Sequence, residues 1–350
     1  MEFINYFCKQ LSNHPSMQSQ DVIKLCFQAA FGAEHLLSNL DGARNYFYKE
    51  YEATPVENIS VYESISDDFC RVNIAGWKYV GLNPDFLFNM FVASVIPVEN
   101  GEATFLGFLD LTSELISKGK SNISAEKHKL FIQDYLSHGI RAVHHSQDYR
   151  DGEKPAYRIV NRKYMKLLPI LEKIGQKDTG SYIISIDGPA ASGKSTLSKL
   201  LADTLDAGVI HMDDFFLPPE LRTGPRLAKP GGNVHYERFI SHVLMHIRNE
   251  NEFSYNAFDC SKMAMGGPVT VKASKYRSVE GSYSNHPLFG DYADLKIFIE
   301  IDKNLQKNRI LDRNGPKMWE RFNNEWIPME DKYFHTFSIP DKSDIKIRLS

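Results

Sequence analysis

The chain has 350 residues, enough for one or two domains with a sizeable core, and its apolar and charged fractions are ordinary for a globular protein in water. A net charge of −3 argues against a general nucleic-acid binder, and no apolar run approaches the ~18 residues of a membrane span. Cys8, Cys26, Cys70 and Cys260 are far apart and form no C-x-x-C pair, which fits free thiols in a reducing compartment. The first residues lack the basic-then-apolar order of a signal peptide, so a cytoplasmic protein is expected.

The first half reads as mostly helical. Phe3, Ile4, Phe7, Cys8 and Leu11 share one helical face. After Pro15, Gln20 or Asp21 can cap a second helix whose inward residues run from Val22 to Ala30 and on to Leu36 and Leu37, with Gly32 interrupting the pattern. Helices are expected over 40–51, 85–96, 105–118 and, briefly, 130–135, with a short strand pair or extended segment over 62–74. The last periodic stretch, 155–174, carries Arg158, Arg162, Lys163 and Lys166 at helical spacing, which reads as a solvated basic face. Glu34-His35 and His144-His145 with Asp148 are the polar candidates here. Their spacing fits no metal-ligand motif, and they read as surface or hydrogen-bonded histidines. The polar, glycine-flanked run 176–180 is the expected linker between a domain over 1–175 and another over 181–350.

The second half opens with a strand over 182–186, then the run Gly188, Pro189, Ala190, Ala191, Ser192, Gly193, Lys194, Ser195, then a helix from Thr196. The run fits G-x-x-x-x-G-K-[ST] at every fixed position, between a strand and a helix as the motif requires. Its glycines let backbone amides curl round an anion, and the helix N-terminus adds positive charge. Residues 188 and 190–196 are therefore the expected nucleotide-binding set. Lys194 is expected to reach the β- and γ-phosphates, and the Ser195 hydroxyl to ligate Mg²⁺.

A second strand over 208–212 ends in Asp213, Asp214, Phe215 and Phe216. Acids beyond a strand's carboxyl end mark the ligand edge of an open α/β sheet. A carboxylate there can accept a proton from a substrate hydroxyl or hold a water on Mg²⁺. A strand over 276–279 ends at Glu280-Gly281, where a carboxylate can serve the metal. Strands are also expected over 294–301 and 344–349. The helix from Asn304 puts Arg309 and Arg313 four residues apart on one face. Five strands with helical crossovers imply a parallel sheet with helices on both faces.

Gly188 to Ser195 together with Asp213–Phe216 resembles the uridine kinase and nicotinamide riboside kinase group of P-loop kinases, over about residues 181–350. The resemblance implies an α/β P-loop NTPase domain, here preceded by a mostly α-helical domain. It implies ATP and Mg²⁺ as cofactors and a small-molecule hydroxyl acceptor, a nucleoside first and a vitamin precursor or sugar acid second. It places Asp213 as catalytic base, with Lys194, Arg309 and Arg313 serving the transferred phosphoryl group and Asp214 joining Ser195 and Glu280 at the metal. The loop after Pro230 resembles the substrate-side segment of these kinases, which makes Asn233, His235, Tyr236 and Arg238 candidate substrate contacts. Asp259 enters through a tyrosine–aspartate segment that borders the nucleoside pocket in the group. Arg222 and Arg226 are candidates for anionic groups through two-point guanidinium contacts. No nucleic-acid or membrane partner is expected, and a homo-oligomer is left open.

Overall fold

The computed structural model describes residues 2–33, 39–175, 180–249 and 251–349. Contacts divide the chain into two compact units, Met1–Gln176 and Lys177–Ser350. The expected linker lies mostly outside the described residues, as do Glu34, His35, Leu36 and Leu37.

Unit 1 runs α1 (Glu2–Asn13), α2 (Ser19–Phe31), α3 (Leu40–Ala53), β1 (Tyr62–Ser64), β2 (Phe69–Asn73), α4 (Ile74–Tyr79), α5 (Pro84–Ala93), α6 (Gly101–Ser117), α7 (Ala125–Ser137), α8 (Gln147–Glu153), β3 (Tyr157–Asn161) and α9 (Leu168–Gly175). The aromatic face of α1 buries Phe3, Tyr6 and Phe7, and the Phe3 ring stacks 4.0 Å from Phe108 on α6. Helix α2 begins before the expected cap, at Ser19, and Asp21 instead reaches back from its first turn to accept the Gln18 amide at 2.9 Å. Gly32 then ends the helix with a left-handed φ of 63°. The piece expected over 130–135 is a full helix, α7, capped by the Ser124 hydroxyl.

The main correction in unit 1 concerns 155–174. Tyr157–Asn161 is a strand that pairs antiparallel with β2, in a three-stranded sheet of order β1-β2-β3. A 3-10 turn, Arg162–Leu167, and the short α9 follow it. The basic residues therefore share no helical face. Arg158 is buried on β3 against Glu50, while Arg162 pairs with Glu2 at 2.6 Å. The helical spacing of these four cations is outweighed by aromatic and β-branched residues that fit the open edge of β2.

Unit 2 runs β4 (Tyr182–Asp187), α10 (Lys194–Leu205), β5 (Gly208–His211), α11 (Gly224–Leu227), α12 (Tyr236–Phe239), β6 (Phe253–Asp259), β7 (Ala264–Val271), β8 (Tyr276–Glu280), β9 (Leu295–Ile301), α13 (Lys303–Arg321), α14 (Ile327–Phe337) and β10 (Ile345–Leu349). The five expected strands form one parallel sheet of order β10-β9-β4-β8-β5. On one face, Ser198 of α10 meets Ser278 of β8, hydroxyl to hydroxyl, at 2.9 Å. On the other, Phe334 of α14 packs edge-on against Phe298 of β9, within a cluster that includes Ile183, Ile210, Val279 and Phe239. Helices thus cover both faces, as a parallel sheet requires. The hairpin β6–β7 is an addition that the sequence reading does not contain. The single turn α12 is continued by a π-helical turn, Ile240–Leu244.

Candidate active site

The strand order decides which loops meet. Strand β8 lies between β4, which delivers the phosphate loop, and β5, which delivers Asp213. Glu280, the last residue of β8, is in register with Ile186 on one side and His211 on the other. Its carboxylate is 3.2 Å from the Ser195 hydroxyl, which donates to it, and 2.6 Å from His211 Nδ1. That hydrogen bond to Glu280 raises the His211 pKa above its ordinary value, against the opposing effect of burial. Gly281 makes the approach of β8 and β5 possible. Its φ is 136°, and a Cβ there would fall 2.7 Å from Met212 Cβ.

The loop itself follows from its sequence. Gly188 has φ 148°, and a Cβ on it would come within 2.5 Å of the Ile299 carbonyl of β9, so no side chain fits. Lys194 is buried, and its ammonium donates to the Gly188 and Pro189 carbonyls at 2.9 and 2.8 Å. Ala190 and Ala191 pack against a small cluster of Ile310, Phe322 and Ile327. Ser192 is fully buried, and its hydroxyl has no partner among the described residues. Gly193 takes φ 98° just before α10, while Ser195 and Thr196 are exposed on the first turn of that helix.

Asp213 lies two residues beyond β5 and is open to solvent. Surrounding protein nevertheless desolvates its carboxyl and raises its pKa, with Lys194 opposing and Glu280 adding to the rise. The structure thus brings Asp213, Glu280, Ser195 and Lys194 to one edge. Asp214 turns elsewhere, and its carboxylate accepts the Tyr255 hydroxyl of β6 at 2.8 Å.

Helix α13 reaches the loop through two side chains. Gln306 donates to the Ala190 carbonyl at 3.0 Å, and Arg309 to the Ala191 carbonyl at 3.2 Å. Arg313 is not brought in. It is exposed and donates to its neighbour Asn314, just before α13 kinks at Gly315.

Most of the expected acceptor set is engaged inside the fold. Arg226 donates to the Gly232 and Val234 carbonyls and to Glu237, with its guanidinium 4.0 Å from the centre of the Tyr236 ring. Tyr236 is buried, and its hydroxyl donates to the Gly231 carbonyl. Arg238 is buried over the Phe215 ring and donates to the Asn256 and Asp214 carbonyls, tying the hairpin to the segment after β5. Asp259 closes the β6–β7 turn by accepting from Ser261 and Lys262. His235 caps α12 by accepting the Arg238 amide. A long loop must satisfy its own backbone, and cations near it are recruited for that first. Some of the set keep polar atoms without a partner among the described residues, Arg238 at its Nε among them. Arg222 uses only its Nε, on the Leu217 carbonyl, and the half-buried Asn233 leaves its side-chain carbonyl without a donor.

Sequence reasoning assigns no role to three buried residues that hold the loop. Asp187, the last residue of β4, accepts the amides of Gly188, Tyr283 and Asn285 and the hydroxyl of Tyr333. Burial pushes its pKa up to about 6 against those four donors. Ser282 donates to the Gly188 carbonyl or to Glu330, and Glu330 accepts the Ala190 amide. Asp187 directly precedes the motif, which is the one available signal. Glu330 and Tyr333 lie more than a hundred residues away in the chain.

A glycine loop joins the central strand of a parallel sheet to its following helix, with acids at the ends of β8, beside it, and β5, one strand further. Unit 2 carries a phosphate-loop motif on the central strand of a five-stranded parallel sheet. No family model and no curated protein matches the chain. Among solved structures, it is similar to a possible uridine kinase from Bacillus stearothermophilus, at 19% identity and TM-score 0.41, over 53% of this chain and 98% of that one. A candidate fructose transport system kinase from Silicibacter sp. TM1040 gives 22% and 0.42, over 52% of this chain and 97% of that one. An uncharacterized protein from Eubacterium ventriosum gives 14% and 0.29, over 48% and 89%. At these identities and scores the likeness carries no argument about activity, and the site stands on its own geometry. Among the described residues, no helix is long and apolar enough to cross a membrane.

Proposed function

We propose that unit 2 transfers the γ-phosphoryl group of ATP to a hydroxyl of a small molecule, with Mg²⁺. The observation that carries this reading is the Ser195 hydroxyl on the Glu280 carboxylate at the head of α10, with Asp213 on the adjoining strand end. Mg²⁺ in nucleotide sites takes one or two protein oxygens and fills its remaining positions with phosphate oxygens and water. Ser195 and Glu280 are hard oxygen donors in that number, so the residues fit such an ion. Among the described residues, no group of three or more His, Cys, Asp or Glu side chains could hold a metal alone. The ion would supply charge neutralisation at the phosphates.

The chain's own residues do the rest. Loop amides and Lys194 hold the donor phosphates. Asp213 accepts the acceptor's proton as its oxygen attacks phosphorus and the bond to the bridging oxygen of ADP breaks. Arg309, already at the Ala191 carbonyl, is placed to stabilise charge on the transferred group. A nucleoside is the first acceptor to try, by the sequence resemblance, and Arg222 and Asn233 are the side chains left to meet it.

The test is ADP release from the full chain with ATP, Mg²⁺ and panels of nucleosides, sugars, sugar acids and vitamin precursors. One class should raise turnover above the ATP-only rate. If only a non-nucleoside does so, the nucleoside reading falls and the kinase reading stands. If no hydroxyl compound does so while ATP still binds, a nucleotide-binding regulatory module replaces the kinase.

A further inference from the structure

Unit 1 buries a charge that it does not compensate. Arg71, on β2, is 4% exposed. Its terminal nitrogens donate to Gln10 Oε1 at 3.2 Å, Gln28 Oε1 at 3.3 Å and the Tyr157 hydroxyl at 3.1 Å. The guanidinium carbon lies 4.1 Å from the centre of the Tyr157 ring and 5.6 Å from that of Tyr6. Tyr149 also interacts with the guanidinium, and every one of these partners is an uncharged side chain. Among the described residues, no carboxylate comes within ion-pair distance of Arg71, and its Nε has no acceptor. The Tyr6 hydroxyl, on a side chain that is also 4% exposed, has no partner either.

A buried cation without a counter-ion costs several kcal/mol, even after relaxation. A second cation deepens the imbalance. Lys24 follows Asp21 by three residues and precedes Gln28 by four, on the same face of α2, and its ammonium donates to the Val143 carbonyl. Burial, and then the charge of Arg71, lower its pKa to about 8. The acids nearby in the fold are spoken for. Asp21 accepts from His145, Ser146 and the Gln18 amide. Glu63 is paired with Lys9 at 2.6 Å. A cleft of about 300 Å³ lies against Tyr6, lined also by Glu2, Asn5, Lys9, Tyr62 and Glu63, with Arg71 and Lys24 set behind its wall.

We propose that unit 1 is a binding unit for an oxyanion-bearing small molecule, a carboxylate or a phosphate, anchored by Arg71, with the Tyr6 hydroxyl and Lys24 as further donors. With both Nη2 hydrogens given to Gln28 and Tyr157, the Nε–H of Arg71 is the donor left to make a charge-assisted hydrogen bond to such an anion. The anion then supplies the countercharge that the fold leaves out, and Gln10, Gln28 and Tyr157 hold the guanidinium in place for it.

The test uses the full chain carrying Lys194→Ala, so that anion binding at the phosphate loop does not contribute. Inorganic phosphate and acetate are titrated separately in the millimolar range. The side-chain Nε–H resonance of Arg71, assigned with Arg71→Lys, is followed by NMR alongside the thermal midpoint. One or both anions should shift that resonance saturably and raise the midpoint, and the anion that does so names the source. Tyr6→Phe should keep the fold and weaken the apparent affinity by roughly 2- to 10-fold, the worth of one hydrogen bond. Arg71→Met should abolish binding. Absence of a saturable shift from either anion, or an affinity unchanged by Tyr6→Phe, overturns the site.

Discussion

The carboxylate of Glu330, on α14, accepts a 2.9 Å hydrogen bond from the amide of Ala190 inside the phosphate loop. Its other oxygen accepts the Ser282 hydroxyl, beyond β8, at 2.7 Å. One buried side chain thus joins α14, the phosphate loop and the end of β8. Burial raises its pKa, with the nearby charge of Lys194 opposing.

Glu330→Met removes the acceptor of the Ala190 amide, while Ser282 can still donate to the Gly188 carbonyl. The loss of one buried hydrogen bond is worth about 1 kcal/mol, roughly fivefold in affinity. The KM for ATP should rise by about that factor with little change in kcat, because the carboxylate positions the loop and touches no reacting atom. Steady-state kinetics that show kcat falling with KM unchanged would contradict this role.

Lys194→Ala removes a charge-assisted contact to the phosphates, worth about 2–3 kcal/mol, so ATP affinity should fall roughly 30- to 100-fold and turnover with it. Calorimetry that finds the same affinity would remove the phosphate-loop assignment. Asp213→Asn should behave differently, losing product formation while ATP binding stays within about twofold, since it acts on the acceptor proton. Equal loss of both properties would make Asp213 structural.

Arg226 and Arg222 separate stability from binding. Arg226→Lys cannot span two carbonyls and Glu237, so it should cost about 2 kcal/mol and lower the thermal midpoint. Arg222→Ala gives up one backbone contact and should move stability by less than about 1 kcal/mol. Its effect should appear in the KM for the acceptor. Equal midpoints for the two variants would refute the division.

Unit 1 should weaken in acid. Burial lowers the pKa of both His128 and His145 from the ordinary 6.5 to about 4. The folded unit therefore refuses protons that the unfolded chain takes up below pH 6.5. Stability is fully present above that value and is lost as pH falls towards about 4. Each histidine contributes up to about 3 kcal/mol to this loss. Hydrogen-exchange protection of α2 amides, corrected for intrinsic rates, should decline across the window, and less steeply in His145→Asn. A flat profile from pH 7 to pH 5 would contradict the assignment.

Strands β4 and β9 were legible because each is a short, largely buried apolar run, and the edge strand β10 because it alternates apolar and charged residues. Strand β3 was not. Arg158, Arg162, Lys163 and Lys166 share a helical spacing, and only the vacant edge of β2 turns that segment into a strand. The acceptor loop shows a related effect. Arg226, Tyr236, Arg238 and Asp259 have the chemistry of ligand contacts, but the irregular backbone around them consumes it.

By itself, the sequence determined the phosphate loop, the α/β character of residues 181–350 and the acids at two strand ends. Those features are local: a glycine without a Cβ, a lysine beside a helix N-terminus and a carboxylate closing a strand act over a few residues. Only the tertiary structure decided that β8 sits between β4 and β5, so that Glu280 meets Ser195, and that Glu330 and Tyr333 return to hold a loop about 140 residues earlier. It alone showed that Arg71 is buried among neutral partners. Strand order, burial and missing countercharges depend on contacts between segments far apart in the chain, and local residue patterns do not encode them.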